Sequence, residues 1–201
     1  MDSIGLRLFL PLYLVVYLGL AMLWRSYRVW KATGLNPYKL GRSASVHDFM
    51  GRCLAVVFAA AVGAVLLYAV WPRAYAWLLV PALPQHPVIV GVGVALLLAS
   101  LAWTLVAQIQ MGNSWRIGID TETKTELVQH GVFRLSRNPI FLGMRVTILG
   151  LFLALPNVMT LLVLALGELG IQVQVRLEEE HLRRMHGEAY EQYVRRTRRW
   201  L

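Results

Sequence analysis

Apolar and charged residues alternate in long blocks along the chain. Five stretches of 16 to 20 residues contain at most one charged residue each: 8–24, 54–71, 88–107, 140–155 and 158–175. Lipid offers the backbone no hydrogen-bonding partner, so each stretch is predicted to be a helix. Helices of this length approach the thickness of the hydrocarbon core of a bilayer, about 30 Å. The pattern therefore predicts an all-α fold, a polytopic transmembrane helical bundle with five spans.

The last two stretches are joined only by Pro156-Asn157, which predicts a tight helical hairpin. Arg145 lies 11 residues before Pro156 and Glu168 lies 11 residues after Asn157, so an antiparallel hairpin places both at one depth. Either charge alone would cost about 2.5 to 3.5 kcal/mol at the centre of a span. We expect an ion pair within about 4 Å. It either fixes the register of the hairpin or binds substrate or cofactor directly.

The charges lie between the apolar blocks, and their distribution predicts the orientation. The chain has 20 Lys and Arg against 11 Asp and Glu, a net charge of +9. Basic residues concentrate in segments 25–52 and 176–199, which are therefore expected on the cytoplasmic side. Five spans then leave the N-terminus outside and the C-terminus in the cytoplasm. The expected location is the plasma membrane, which in a bacterium is the inner membrane.

Composition excludes several classes of function. A chain that is 57% hydrophobic is too apolar for a soluble domain, so the expected partner is a lipid bilayer. Because the charged residues flank the spans, no binding of nucleic acid is expected. The single cysteine, Cys53, cannot form an internal disulfide. The sequence has no cluster of cysteine and histidine residues that would predict a metal site. None of the five histidines lies in an apolar stretch, where the axial ligand of a haem would have to be.

Two motif regions flank the predicted hairpin. Before it runs Gly131-Val-Phe-Arg-Leu-Ser-Arg-Asn-Pro139-Ile-Phe-Leu-Gly143, where Asn138-Pro139 predicts the start of a helix. After it come Glu178-Glu179 with Leu182, then Gly187, Tyr190 and Tyr193, and finally Arg199-Trp200. In order and spacing this set resembles the isoprenylcysteine carboxyl methyltransferase and phospholipid methyltransferase group. The resemblance covers about the last 90 residues, which divides the chain into three N-terminal spans (1–110) and a methyltransferase-like region (111–201).

The resemblance implies an integral membrane enzyme that binds S-adenosyl-L-methionine in a cytosolic pocket without a Rossmann domain. By position, the cofactor-binding residues would be Thr125, Glu126, Leu127, Val128, Phe133, Asn138, Pro139, Phe141 and Glu178. An aromatic ring suits a sulfonium cation and a carboxylate suits an ammonium group. The same residues also fit ordinary roles, the aromatic rings as interface anchors and the aliphatic residues as loop core.

Candidate catalytic residues follow from the same comparison. They are Glu179, Arg137 and Arg176, and Glu179 is the nearest candidate to accept a proton, with His181 and His186 as alternatives. Three positions depart from the group's usual pattern: Asn138 stands for histidine, Phe141 for tyrosine, and Gln174 for an arginine that orients a substrate carboxylate.

The expected function is transfer of a methyl group to a membrane lipid or a lipophilic or small acceptor, at a carboxylate, thiol or amine. The alternative is a non-catalytic membrane scaffold or small transporter that retains the hairpin.

Overall fold

A computed structural model describes residues 3–39, 45–78, 86–118 and 126–201, and throughout these ranges helices dominate. A π-helical segment, Leu18–Trp24, joins the first two helices without a break, and single 3₁₀ turns occupy Gly112–Ser114 and Gly131–Arg134. No strand occurs in these four ranges, where one isolated bridge pairs Tyr38 with Ile117. The helices are α1 (Ser3–Tyr17), α2 (Arg25–Thr33), α3 (Val46–Val70), α4 (Pro72–Ala76), α5 (Pro87–Met111), α6 (Pro139–Ala154), α7 (Val158–His186) and α8 (Glu188–Arg196).

Four helical segments are long and apolar enough to cross a membrane: Ile4–Thr33, Val46–Val70, Pro87–Ser114 and Val158–His186. The all-α prediction and the assignment to a membrane are confirmed. Helix α6 is apolar but has only 16 residues, about 24 Å, so the count of five spans stays a prediction. The first helical segment extends well beyond the predicted 8–24, because α2 continues it to Gly34, whose positive φ of 69° ends the helix.

Helices α5 and α6 pack closely through small residues. A Cβ at Gly93 would lie 2.4 Å from the backbone nitrogen of Ala154, and a Cβ at Gly150 would lie 3.0 Å from the carbonyl oxygen of Gly93. The two backbones therefore nearly touch, as small residues allow between membrane helices. This contact fixes the depth at which α6 begins, and so the position of the residues just before it.

The predicted turn at Pro156-Asn157 is present between α6 and α7. Asn157 is fully buried and caps α7: its side-chain oxygen accepts from the Thr160 N–H at 2.9 Å, and Thr160 Oγ1 accepts from the Asn157 N–H at 3.2 Å. Two backbone donors of the helix start are thereby satisfied inside an apolar environment. A firmly capped turn holds α6 and α7 in one register.

The N-terminal helical segment is attached to α5 by side chains that bond to backbone carbonyls. Gln108 on α5 donates from Nε2 to the Ala21 carbonyl in the π-helical segment at 2.9 Å. One turn further along, Arg25 donates to the Gly112 carbonyl at the end of α5. The bonds link matching turns of the two helices, which therefore run parallel.

Candidate functional site

The segment before α6 is held by its own polar groups and by the end of the chain. The Asn138 N–H donates to Ser136 Oγ at 3.1 Å, and Ser136 Oγ donates to the Arg199 carbonyl at 3.0 Å. Pro139 takes the first position of α6, where a missing N–H costs nothing. The Asn138 side chain does not cap the helix and is left for another contact.

That contact is the carboxylate of Glu179 on α7, which is 3% exposed. Asn138 Nδ2 donates to Glu179 Oε1 at 2.9 Å and Arg137 Nη2 donates to the same oxygen at 3.1 Å. Arg199 donates from Nη2 to Glu179 Oε2 at 2.8 Å and from Nε to both oxygens at 3.1 and 3.2 Å. We call Arg137, Asn138, Glu179 and Arg199 the carboxylate cluster.

The carboxylate cluster neutralises a buried negative charge with two guanidinium groups. The Glu179 carboxylate raises the pKa of the Arg199 side chain above its usual range through hydrogen bonding and charge attraction. Both oxygens of Glu179 accept hydrogen bonds. The arrangement therefore suits an ionised carboxylate that holds the neighbouring groups in position, and it suits a residue that takes up a proton less well.

A chain reversal at Gly187, with φ of 54°, brings α8 and the residues after it back to the segment before α6. Arg137 contributes most to this contact: its N–H donates to the Arg198 carbonyl at 2.9 Å, and its Nη1 donates to the Thr197 carbonyl at 2.5 Å. On α8, the Tyr193 hydroxyl donates to the Phe133 carbonyl at 2.6 Å. The motifs on either side of the hairpin therefore form one unit.

Tyr190 is the largest fully buried side chain of this unit. Burial, with the nearby Glu179 charge, raises the pKa of its hydroxyl to about 12. Its ring lies 6.1 Å from that of Tyr193 in an edge-on arrangement. The two tyrosines of the Gly187 motif thus form the packed underside of the carboxylate cluster.

The predicted ion pair between Arg145 and Glu168 is confirmed. Arg145 Nε lies 2.7 Å from Glu168 Oε2, and Gln172 Nε2 donates to the other carboxylate oxygen at 2.8 Å. The Arg145 guanidinium also lies 4.3 Å from the centre of the Trp200 ring, a cation–π distance. The pair therefore anchors Trp200 as well as linking α6 to α7.

Helix α7 presents two polar faces. Glu168, Gln172 and Glu179 follow helical spacing on the face that contacts α6 and the end of the chain. Gln174 lies toward α3, where its Nε2 is 3.5 Å from His47 Nδ1. Glu178, one turn beyond Gln174, is half-buried and makes no hydrogen bond or ion pair within the described ranges. The two adjacent glutamates are therefore in different environments.

The remaining predicted residues are distributed around this unit. Thr125 lies outside the described residues. The Glu126 carbonyl accepts from Ser114 Oγ at 3.3 Å, while Leu127 and Val128 are half-buried in the same loop. Arg176 does not join the carboxylate cluster: it is exposed and bonds to Gln172 on its own helix.

Two of the predicted apolar residues lie at the start of α6 and one just before it. Phe133 is 7% exposed and Phe141 is half-buried. The Pro139 carbonyl accepts from Trp103 Nε1 at 2.8 Å, and Gln110 Oε1 accepts from the Val132 N–H at 2.7 Å. Helix α5 therefore supports the segment that carries these residues.

Sequence reasoning missed how Arg199 and Ser136 act. Arg199-Trp200 was available as a motif, but nothing in the spacing indicated that it folds back onto Glu179. Ser136 carried no signal apart from its place in the motif.

Comparison with known proteins supports the same region. The model of the phospholipid methyltransferase family matches residues 88–189, which include Arg137, Asn138 and Glu179. No curated protein matches the chain. The matched range is half of the sequence and runs from α5 into α8. The chain belongs to the phospholipid methyltransferase family, a family of membrane methyltransferases.

Proposed function

We propose that the protein is an integral membrane methyltransferase that uses S-adenosyl-L-methionine to methylate a lipophilic or small acceptor. The observation that carries the proposal is the contrast between the two adjacent glutamates. Glu179 is saturated by guanidinium and amide donors, whereas Glu178 is half-buried without an ion-pair or hydrogen-bond partner in the described ranges. A carboxylate in that state suits a cationic ligand, and the amino-acid part of the cofactor carries an ammonium group.

The other cofactor contacts we propose come from the loop before α6 and from its first turn. Backbone groups from Glu126 to Val128 suit adenine, and the Phe133 and Phe141 rings suit the sulfonium. Asn138 and Pro139 shape this wall of the site, although the Asn138 amide is used by Glu179.

The cofactor, when bound, supplies a methyl group on a positively charged sulfur. Transfer is an in-line displacement that releases a neutral thioether, so alignment of the two reactants matters more than acid catalysis. The contacts of Arg137 and Glu179 support a positioning role for both, because they fix the start of α6 against the end of the chain. Arg176 is exposed near the same end of α7, where a polar part of a substrate could meet it.

The topology we propose has five spans, with the N-terminus outside and the site facing the cytoplasm. Helix α6 then crosses together with its flanking residues, held at its depth by α5 and α7. The Arg145–Glu168 pair supports this because each charge finds its partner within the bundle. Basic residues after the first and last spans support the orientation.

A lipophilic acceptor would reach the site from the bilayer. A crevice of about 200 Å³ lies between α5 and α6 and is lined almost entirely by apolar groups. Its lining residues are Ala99, Ser100, Trp103, Leu142, Gly143, Val146 and Leu201. Since this crevice opens between two membrane helices, it supports sideways entry of an acyl or prenyl chain.

Calorimetric binding of S-adenosylhomocysteine to the detergent-solubilised protein tests the proposal. We expect Glu178→Ala to weaken binding about 10- to 150-fold, the value of one charge-assisted hydrogen bond of about 1.5 to 3 kcal/mol. Glu180→Ala is the matched control, because Glu180 is exposed and pairs with Arg184 on its own helix at 3.1 Å. Equal affinity in wild type and Glu178→Ala would contradict the placement. No binding by the wild type would favour the scaffold or transporter alternative.

A further inference from the structure

Aromatic side chains form an exposed ladder where the first helical segment ends. The exposed fractions are 54% for Trp24, 46% for Tyr27 and 54% for Trp30. Their rings follow one another along α2 at centre-to-centre distances of 6.1 and 6.2 Å. Side chains three residues apart are neighbours on a helix surface, so the three rings form one continuous strip. An exposed apolar strip of this kind indicates a surface that another molecule covers.

Two basic side chains border the aromatic ladder. Arg28 and Lys31 are exposed, and the Arg28 guanidinium lies 5.9 Å from the centre of the Trp24 ring. Neither basic residue forms an ion pair in the part of the chain that the structure describes. Residues 24–42 contain five Lys and Arg, and residues 3–47 contain no acidic residue. Because the sequence around these cations supplies no counter-charge, the surface suits an anion.

The opposite face of α2 is fixed to the bundle. Val29 is 1% exposed, and Arg25 donates to the Gly112 carbonyl at the end of α5. One turn before that carbonyl, Gln110 accepts from the Val132 N–H in the segment that leads to α6. The attached face therefore keeps the aromatic ladder on the outside of the bundle, at the end that carries the carboxylate cluster.

The length of the first helical segment places the ladder at the level of the lipid headgroups. Ile4–Thr33 has 30 residues and is about 45 Å long, whereas the hydrocarbon core of a bilayer is about 30 Å thick. Residues 4–24 already reach about 31 Å, so Arg25–Thr33 extends into the headgroup layer. Tryptophan and tyrosine are favourable at this depth, where the lipid phosphates also lie. Depth and charge together favour a phospholipid over a protein as the occupant of this face.

From this combination we propose that the exposed face of α2 binds an anionic phospholipid of the adjoining leaflet. Arg28 and Lys31 donate hydrogen bonds to its phosphate, and the Trp24 and Trp30 rings pack against the glycerol and the first acyl carbons. A zwitterionic headgroup binds less tightly, because its own ammonium group is repelled by the two basic side chains. The inference goes beyond the proposed function: this lipid is bound and is not methylated.

Native mass spectrometry of the full-length protein, released from detergent, tests the proposal with two lipids that have the same acyl chains. Dioctanoyl phosphatidylglycerol is anionic and dioctanoyl phosphatidylcholine is zwitterionic. We expect the wild type to bind phosphatidylglycerol at least tenfold more tightly, since each basic residue near an anionic surface contributes about fivefold. Arg28→Gln combined with Lys31→Gln should bring the two affinities within about twofold of each other. Lys31→Glu, a single substitution at an exposed position, should also abolish the preference.

Matched variants separate lipid recognition from a general loss of charge or apolar surface. Arg195→Gln combined with Arg196→Gln removes the same charge from exposed positions on α8 and should keep the wild-type preference. Trp30→Ala should weaken binding of both lipids about three- to tenfold, because it removes packing and no charge. Trp77→Ala, at a side chain that is 90% exposed just after α4, should change neither affinity. Wild-type elution in gel filtration shows that each variant is folded.

Equal affinity of the wild type for the two lipids overturns the inference, and so does a preference that the substitutions of Arg28 and Lys31 leave intact. Inorganic phosphate that displaces phosphatidylglycerol at equal concentration would show a site for free anions. A polyglutamate peptide that binds more tightly than phosphatidylglycerol would assign the face to an acidic protein. Either result also overturns the inference. Because no methyl transfer is measured, failure of the wild type to bind S-adenosylhomocysteine removes the proposed function and leaves this inference standing.

Discussion

The carboxylate cluster should contribute a large part of the stability of the site, and Glu179→Ala tests this. The substitution leaves the Arg137 guanidinium, whose side chain is 9% exposed, without its anionic partner. Removing one partner of a buried ion pair costs about 3 to 5 kcal/mol. The contribution of Arg199 is discounted because its side chain is 34% exposed. At about 2 to 4 °C per kcal/mol for a chain of this size, we expect Tm to fall by roughly 6 to 20 °C.

Intrinsic fluorescence during heating in detergent measures the effect, and Glu180→Ala provides the matched comparison. Glu180 is the next residue on the same helix, but its pair with Arg184 has side chains 59% and 69% exposed, so its loss should cost no more than about 0.5 kcal/mol. Glu179→Gln should fall between the two, because it keeps an oxygen for Asn138 but loses the charge. Similar Tm values for Glu179→Ala and Glu180→Ala would refute the reasoning.

Three further outcomes are expected. Gly93→Ala should destabilise the protein by about 1 to 3 kcal/mol in the same heating assay, because the added Cβ meets the α6 backbone, whereas Gly91→Ala should have no effect because nothing lies within 4 Å of its Cβ. Equal effects of the two substitutions would count against the close contact between α5 and α6. Arg145→Met and Glu168→Leu should each lower Tm more than the double variant, and additive losses would show that the two charges act separately. Because the pKa of the Tyr190 hydroxyl is raised, the protein should keep its full stability below about pH 10 and lose part of it as the pH rises through about 12. Tyr190→Phe should reduce this alkaline loss of stability, and a profile of Tm against pH that is the same in the variant and the wild type would contradict the prediction.

Local spacing was enough to predict the contacts made inside the hairpin. Arg145 and Glu168 are equidistant from a two-residue turn, and two helices joined by such a turn must run antiparallel. Their depth in the bundle follows from counting residues. The start of α6 was predictable for a similar reason, since Asn138-Pro139 restricts the backbone where it stands.

Contacts between distant segments could not be derived in this way. Arg199 reaches Glu179 because the chain reverses at Gly187, and no periodicity in the sequence sets the direction of that reversal. Gln174 and His47 lie 127 residues apart along the chain, so their pairing depends on how α7 and α3 cross. The end of the first helical segment also differed from the prediction. Hydropathy marks where the lipid-facing stretch ends, but Arg25–Thr33 continues the helix beyond that point.

The two bonds between the N-terminal helical segment and α5 also determine which residues can change freely. In each, the acceptor is a backbone carbonyl, of Ala21 in one case and Gly112 in the other. A backbone carbonyl is present whatever the side chain. These hydrogen bonds therefore survive most substitutions of Ala21 or Gly112 that still let the two helices approach as closely. Only the donors Gln108 and Arg25 must keep their chemistry. A segment held in this way can change most of its side chains and still keep its attachment to α5.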